Sequence, residues 1–199
     1  VVHLPKGKTY TMFSPIYTTP KEMTLQLLRK KVPVSVWARL IRLCLYVDNA
    51  IQPIEGINNA EDYQQMPRLT FYAQKVYSIN DALYHYNCTN INSYTATYSP
   101  KLAEQVMLSV NLLESFFQNK DIEYIDALNF SKAEIYVRDM VKCCRFGYKE
   151  HYCLAREKIG EMDRKYFVEL PFPFKILLKL SNYYIAMIYV KLASLFKKR

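Results

Sequence analysis

The sequence predicts an all-α protein. Glycine is nearly absent, apolar residues recur every three or four positions through most of the chain, and Thr19-Pro20 and Ser99-Pro100 stand where helices would begin. The expected architecture is an up-and-down bundle of five to six helices, with residues 1–19 as an extended N-terminal arm and residues 20–199 as one helical domain. The four glycines, Gly7, Gly56, Gly147 and Gly160, leave few positions for tight hairpins or phosphate-cradling loops, which argues against β-rich and nucleotide-loop folds. A chain of 199 residues buries a sufficient core without disulfides or metals.

Pro5, Pro15 and the alternating stretch from Thr9 to Phe13 cannot sustain a helical stripe, hence the arm. Thr19-Pro20-Lys21-Glu22 then supplies a cap, a proline at the first helical position and a carboxylate in the first turn, predicting a helix to about Lys31. Val32-Pro33 closes it. A second helix is expected from about Ser35 to Ile51, with Trp37, Leu40, Ile41, Cys44 and Leu45 on one face. After Pro53, Gly56 and Asn58-Asn59, a third begins at Ala60 or Pro67 and ends by Tyr86. Residues 87–94, rich in Asn, Ser and Thr, read as the longest internal loop. Ser99-Pro100 opens a helix carrying Leu102, Val106, Met107, Val110, Leu113 and Phe117.

A connection is expected over residues 121–130, where acidic and apolar residues alternate as a solvated edge. Ser131 and Glu134 then match a reciprocal cap and predict a helix to Ile159, with Gly147 as a bend and Gly160 as its terminus. Beyond Pro171 and Pro173, residues 174–196 read as one amphipathic helix, long enough to approach the bilayer thickness of about 30 Å. Lys179 and Lys191 interrupt its apolar run and disfavour a true span, so burial in the bundle or at a subunit contact leads, with membrane-surface binding behind it.

The formal charge of +9 is unevenly placed. Residues 1–60 carry eight Lys/Arg against three Asp/Glu, residues 61–130 four against eight, and residues 131–199 fifteen against seven. Basic ends suit phosphate or an anionic membrane surface. The five cysteines, at 44, 88, 143, 144 and 153, form an odd set without framework spacing, which points to an intracellular, reducing compartment. Two acceptor-type triplets, at Asn87 and Asn129, pull weakly the other way.

Cys143, Cys144, His151 and Cys153 are the most metal-like group, but a helix would turn the first two cysteines about 100° apart, so they read as core residues and no metal or cofactor is expected. His3, His85 and His151 are the only histidines, and none stands in a spacing that establishes a nucleophile–base pair; no enzymatic activity is expected. Arg138, Lys142, Arg145, Lys149 and Arg156 recur at near-helical intervals and form the expected phosphate-contacting row, with Tyr148 and Tyr152 as rings for base stacking. The alternative for that row is a solvated face paired with Glu134, Asp139, Glu150 and Glu157.

The leading functional expectation is therefore a non-enzymatic binding or assembly module that contacts RNA or DNA. One alternative is a self-assembling structural protein of the mobile-element or viral-shell type, which uses the arm and the C-terminal helix to reach another copy or a partner protein. The other is a peripheral membrane protein acting through residues 174–199.

Overall fold

The computed structural model describes residues 1–4, 7–11, 19–79, 81–89 and 98–196. Most of the predicted loop over residues 87–94, and part of the predicted arm, lie outside them. The protein is mostly helical, as the sequence predicts, with eight α-helices and one small sheet among the described residues. The chain forms two compact units, Val1–Thr97 with Gln105–Ala127, and Tyr98–Glu104 with Leu128–Arg199.

The first unit begins with strands β1 (Val2–His3) and β2 (Thr9–Tyr10). β1 pairs antiparallel with β2 and parallel with β3 (Tyr86–Asn87), giving the order β2-β1-β3. Helix α1 (Pro20–Leu28) starts as predicted, with the Thr19 Oγ1 accepting from the Glu22 N–H at 3.2 Å and Pro20 in the first turn. It packs chiefly on α3 (Glu61–Tyr72), and the buried Tyr63 hydroxyl donates to the Leu28 carbonyl at 2.7 Å, closing the end of α1. Pro67 sits inside α3, where Thr70 Oγ1 donates back to the carbonyls of Met66 and Pro67. Met23, Leu27, Val32, Ile51, Met66 and Leu69 form the core of this unit.

The second predicted helix shrinks to α2 (Leu43–Val47). Ala38 adopts a left-handed φ of 58°, and the Arg39 guanidinium takes the carbonyls of Ser35 and Pro33 at 2.7 and 2.5 Å, so these groups are satisfied without a helix. Trp37 stacks on Tyr84 and Tyr86 with ring centroids 5.1 and 4.7 Å away. The third helix ends at Tyr72 rather than near Tyr86, because Ala73 turns to an extended ψ of 139°.

Helix α4 (Pro100–Phe117) opens at the predicted proline. Its Gln105 amide donates to the Gly56 carbonyl at 3.0 Å and Ser109 Oγ donates to the Ala60 carbonyl at 3.1 Å, which binds the helix to the turn before α3. Phe71, Phe116, Phe117 and Tyr124 meet edge-to-face and stacked, with centroids 4.7 to 5.6 Å apart, and Lys120 Nζ lies 5.5 Å from the Phe71 ring.

Helix α5 (Ile122–Phe146) runs through the predicted connection at 121–130. Ser131 is buried and its hydroxyl donates to the Leu128 carbonyl at 2.9 Å, one turn back, so it acts inside a helix rather than at a start. The acidic residues read as a solvated edge lie at the start of α5, where Lys21 pairs with Asp121 and Glu123 at 3.3 and 3.2 Å.

In the second unit Gly147, at φ 85°, ends α5, and the N–H groups of Gly147 and Tyr148 both return to the Cys143 carbonyl. Helix α6 (Lys149–Gly160), a 3-10 turn (Arg164–Phe167), α7 (Phe172–Lys179) and α8 (Tyr183–Phe196) complete the chain. The single helix expected over 174–196 is thus two. Asn182 explains the break: its Oδ1 accepts from the N–H groups of Tyr184 and Ile185 at 2.8 and 3.3 Å and starts α8 afresh. Among the described residues no helix is long and apolar enough to cross a membrane.

Phe117 is fully buried at the centre of the aromatic group. Phe117→Ala is expected to destabilise the protein by about 3 to 5 kcal/mol. Urea unfolding followed by circular dichroism measures this, and a loss below about 1 kcal/mol would contradict the packing described.

Candidate functional site

The predicted cationic row lies in the second unit, which carries sixteen Lys/Arg against eight Asp/Glu and so +8, against eleven and ten, or +1, in the first. Arg138, Lys142 and Arg145 are exposed at i, i+4 and i+7 of α5, one stripe of that helix. The row does not continue as one helix, because Gly147 breaks it and Lys149 opens α6.

Each cation has its own surroundings. The Arg138 Nε donates to Glu134 Oε1 at 2.7 Å, and its guanidinium lies 5.4 Å from the Phe174 ring centroid. Lys142 Nζ sits 5.3 Å from the Tyr98 ring, and Lys149 Nζ 5.1 Å from that of Tyr184. The Arg145 side chain has no hydrogen bond or ion pair among the described residues. Arg156 is half-buried, and its Nη1 donates to the Leu180 carbonyl at 2.8 Å while Nη2 reaches the Leu178 carbonyl at 3.5 Å. Its guanidinium closes the C-terminal end of α7.

The two rings expected to stack on bases are also placed in the protein. Tyr152 is 1 % exposed, meets Tyr183 edge-to-face at 5.2 Å and donates its hydroxyl to the Leu180 carbonyl at 3.4 Å. Tyr148 is half-buried and edge-on to Tyr98 at 5.8 Å. Four cations, Arg138, Lys142, Arg145 and Lys149, therefore remain at the surface, without a free ring of this pair between them.

Behind Lys142 lies a polar knot that the spacing of residues did not reveal. The Tyr98 hydroxyl donates to Asp139 Oδ1 at 2.5 Å and lies 3.3 Å from Cys143 Sγ. Burial raises the Asp139 carboxyl above the ordinary range, while the Tyr98 hydrogen bond and the charges of Lys142 and His151 pull it back. Burial, and then Asp139, raises the Tyr98 phenol. Burial pushes the Cys143 thiol up to about 11 and the neighbouring Cys144 thiol to about 12. Both cysteines are buried, and among the described residues no three His, Cys, Asp or Glu side chains are grouped to hold a metal ion.

The remaining feature is α8. Tyr183, Ala186 and Val190 are buried along one side, whereas Tyr184, Ile185, Ile188 and Leu192 are 55, 55, 56 and 52 % exposed along the other. Residues at i, i+4 and i+8 share a helix face, so Tyr184, Ile188 and Leu192 form one apolar stripe, with Ile185 on its flank. Lys191 is the only charged residue between Tyr183 and Phe196. The sequence marks this helix as apolar; only the packing shows which face stays open. A separate cleft of about 250 Å³, between Asn129, Lys132, Tyr136 and Tyr166, is bordered by Lys158, which is paired to Glu161 at 2.9 Å.

No protein-family model matches this sequence, and no curated protein or solved structure matches it.

Two measurements check the site. Arg156→Ala removes the guanidinium donors to the Leu178 and Leu180 carbonyls, leaving Leu180 only the Tyr152 hydroxyl, and is expected to lower stability by about 1 to 3 kcal/mol in urea unfolding. Because the Asp139 carboxyl is raised in the folded state, that state holds its proton more tightly than the unfolded chain. Its contribution to stability is therefore present below an unfolded value of about 4 and falls as pH rises through the folded value. Asp139→Asn should flatten this part of the stability–pH curve; an unchanged slope would show that Asp139 does not titrate there.

Proposed function

We propose that this chain is a basic helical module that docks on an anionic bilayer surface, with α8 lying in the plane of the interface. The supporting observation is the open stripe of Tyr184, Ile185, Ile188 and Leu192 on a helix whose other side is already buried. A helix apolar on all sides calls for cover on all sides. At 14 residues α8 reaches about 21 Å, short of the hydrocarbon thickness of about 30 Å, a length that suits flat insertion at the headgroup boundary. Lys149 above the Tyr184 ring and the exposed Lys191 put cations beside the stripe, where lysines reach lipid phosphates while their stems stay apolar.

Charge favours lipid over a second copy at this face, since two units of +8 would repel each other while an anionic leaflet attracts both. Contact with nucleic acid is the second reading, favoured by the exposure of Arg138, Lys142, Arg145 and Lys149. The burial of Tyr152 and the engagement of Arg156 leave that reading with phosphate contact but without the expected stacking.

Flotation of the full chain with vesicles tests the proposal. Binding is expected to phosphatidylcholine vesicles containing phosphatidylglycerol, to weaken with salt, and to be faint on phosphatidylcholine alone. Ile188→Glu should lower the partition at least tenfold, about 1.4 kcal/mol, with the helical spectrum retained. Equal flotation of that variant would overturn the role of α8. Tight binding to single-stranded RNA or DNA, kept by Ile188→Glu but lost by Arg145→Glu with Lys149→Glu, would establish the second reading in its place.

A further inference from the structure

The second unit displays another apolar point, at the start of α7. Phe172 is 73 % and Val168 68 % exposed. A single exposed apolar residue means little, but Phe172 belongs to a pattern. Phe172, Lys175 and Lys179 stand at i, i+3 and i+7 of α7 and share one stripe, opposite the fully buried Leu177. Lys175 Nζ donates to the Val168 carbonyl at 2.7 Å, which ties the Val168 turn to that stripe. Pro171 at the cap and Pro173 in the first turn fix the backbone on either side of Phe172, so its ring is presented by a stiff turn.

This turn borders the open side of α8. The Tyr189 hydroxyl donates to the Pro173 carbonyl at 3.1 Å, and Tyr189 lies one turn from Ile185 on the same row of α8. The start of α7 therefore adjoins the Ile185 flank of the Tyr184, Ile188 and Leu192 stripe. The Arg138 guanidinium, 5.4 Å from the Phe174 ring, brings the cationic stripe of α5 to the same turn.

We propose that the Phe172 turn is a second contact with an anionic bilayer, in which Phe172 and Val168 enter the boundary between headgroups and acyl chains while Lys175, Lys179 and Arg138 take lipid phosphates. The inference rests on the membrane reading of α8 and adds to it a second point of insertion. Local charge selects the occupant, since residues 164–179 carry four Lys/Arg against one Glu. The α7 stripe sets an aromatic ring beside long cations with apolar stems, and a bilayer offers hydrocarbon and phosphate at those two depths. The two contacts reinforce each other. With α8 in the interface, the Phe172 turn meets the surface at a high effective concentration, so loss of either contact weakens the whole. One helix alone leaves the unit free to roll about the axis of α8, whereas two contacts fix the face it turns to the lipid.

The test uses the full chain with Phe172→Trp, read as the difference from the parent protein, which carries Trp37 alone. On phosphatidylcholine vesicles containing phosphatidylglycerol the added tryptophan should shift to the blue and be quenched by lipids brominated on the acyl chain. Phe172→Ser should lower the partition in flotation at least tenfold with the helical spectrum and urea unfolding retained. Lys179→Gln should lower it about fivefold and reduce its dependence on salt. An added tryptophan that stays unquenched on bound protein, or flotation unchanged by Phe172→Ser but lost with Ile188→Glu, would overturn the second contact and leave the role of α8 standing. Flotation lost with Phe172→Ser and kept by Ile188→Glu would support insertion of this turn and remove α8 from the interface. A parent chain that does not float would overturn both. Loss of RNA binding with Phe172→Ser, at unchanged flotation, would assign the stripe to nucleic acid and equally exclude the proposal.

Discussion

The C-terminal unit turns on how the Leu178 and Leu180 carbonyls are satisfied. A helix leaves its last four carbonyls without partners, and a buried one left unpaired costs about 1 to 3 kcal/mol. Arg156 reaches across from α6 to Leu178 and Leu180, and the Tyr152 hydroxyl adds a second donor to Leu180. With α7 ended in this way, Asn182 can begin α8 in a new direction. Without that corner the apolar run would continue as one rod, and the division of α8 into a covered and an open side would not arise.

The same solution recurs elsewhere, because the chain has so few glycines. Only Gly7, Gly56 and Gly147 take positive φ as glycines, while Lys30, Ala38, Ala50 and Ala60 do so with a Cβ, at φ values of 54, 58, 49 and 68°. Each such residue carries a penalty of about 1 kcal/mol that the surrounding contacts must offset. Long side chains supply those contacts. Tyr63 closes α1 at Leu28, and Arg39 takes two carbonyls ahead of α2. Cations and tyrosines that look like surface chemistry in the sequence thereby become parts of the backbone's hydrogen-bond network.

This explains which parts of the fold were legible. The starts of α1 and α4 could be read because threonine or serine followed by proline states a local rule, independent of the rest of the chain. The non-helical stretch around Ala38 and the helix ends at Ala73 and Leu180 could not, since they depend on distant donors or on alanines that carry no signal. Ser131 and Glu134 offered the right letters for a cap, yet the apolar pattern upstream was regular enough for α5 to run straight through them. At the candidate site, the exposed stripe of Arg138, Lys142 and Arg145 on α5 follows from spacing alone, whereas the bonds of Arg156 to the Leu178 and Leu180 carbonyls and the burial of Tyr152 are tertiary facts. The Tyr98–Asp139–Cys143 knot joins residues 41 and 45 positions apart, beyond the reach of any periodicity.

The two buried thiols of α5 give the chain an internal clock. Burial keeps both thiols protonated at neutral pH, and only the thiolate attacks an alkylating reagent. Cys44, Cys88 and Cys153 are exposed and set a fast background, while Cys143 and Cys144 wait for the helix to open. Labelling of the two buried thiols would therefore time the excursions of α5 from its packed state, recorded by residues native to the chain.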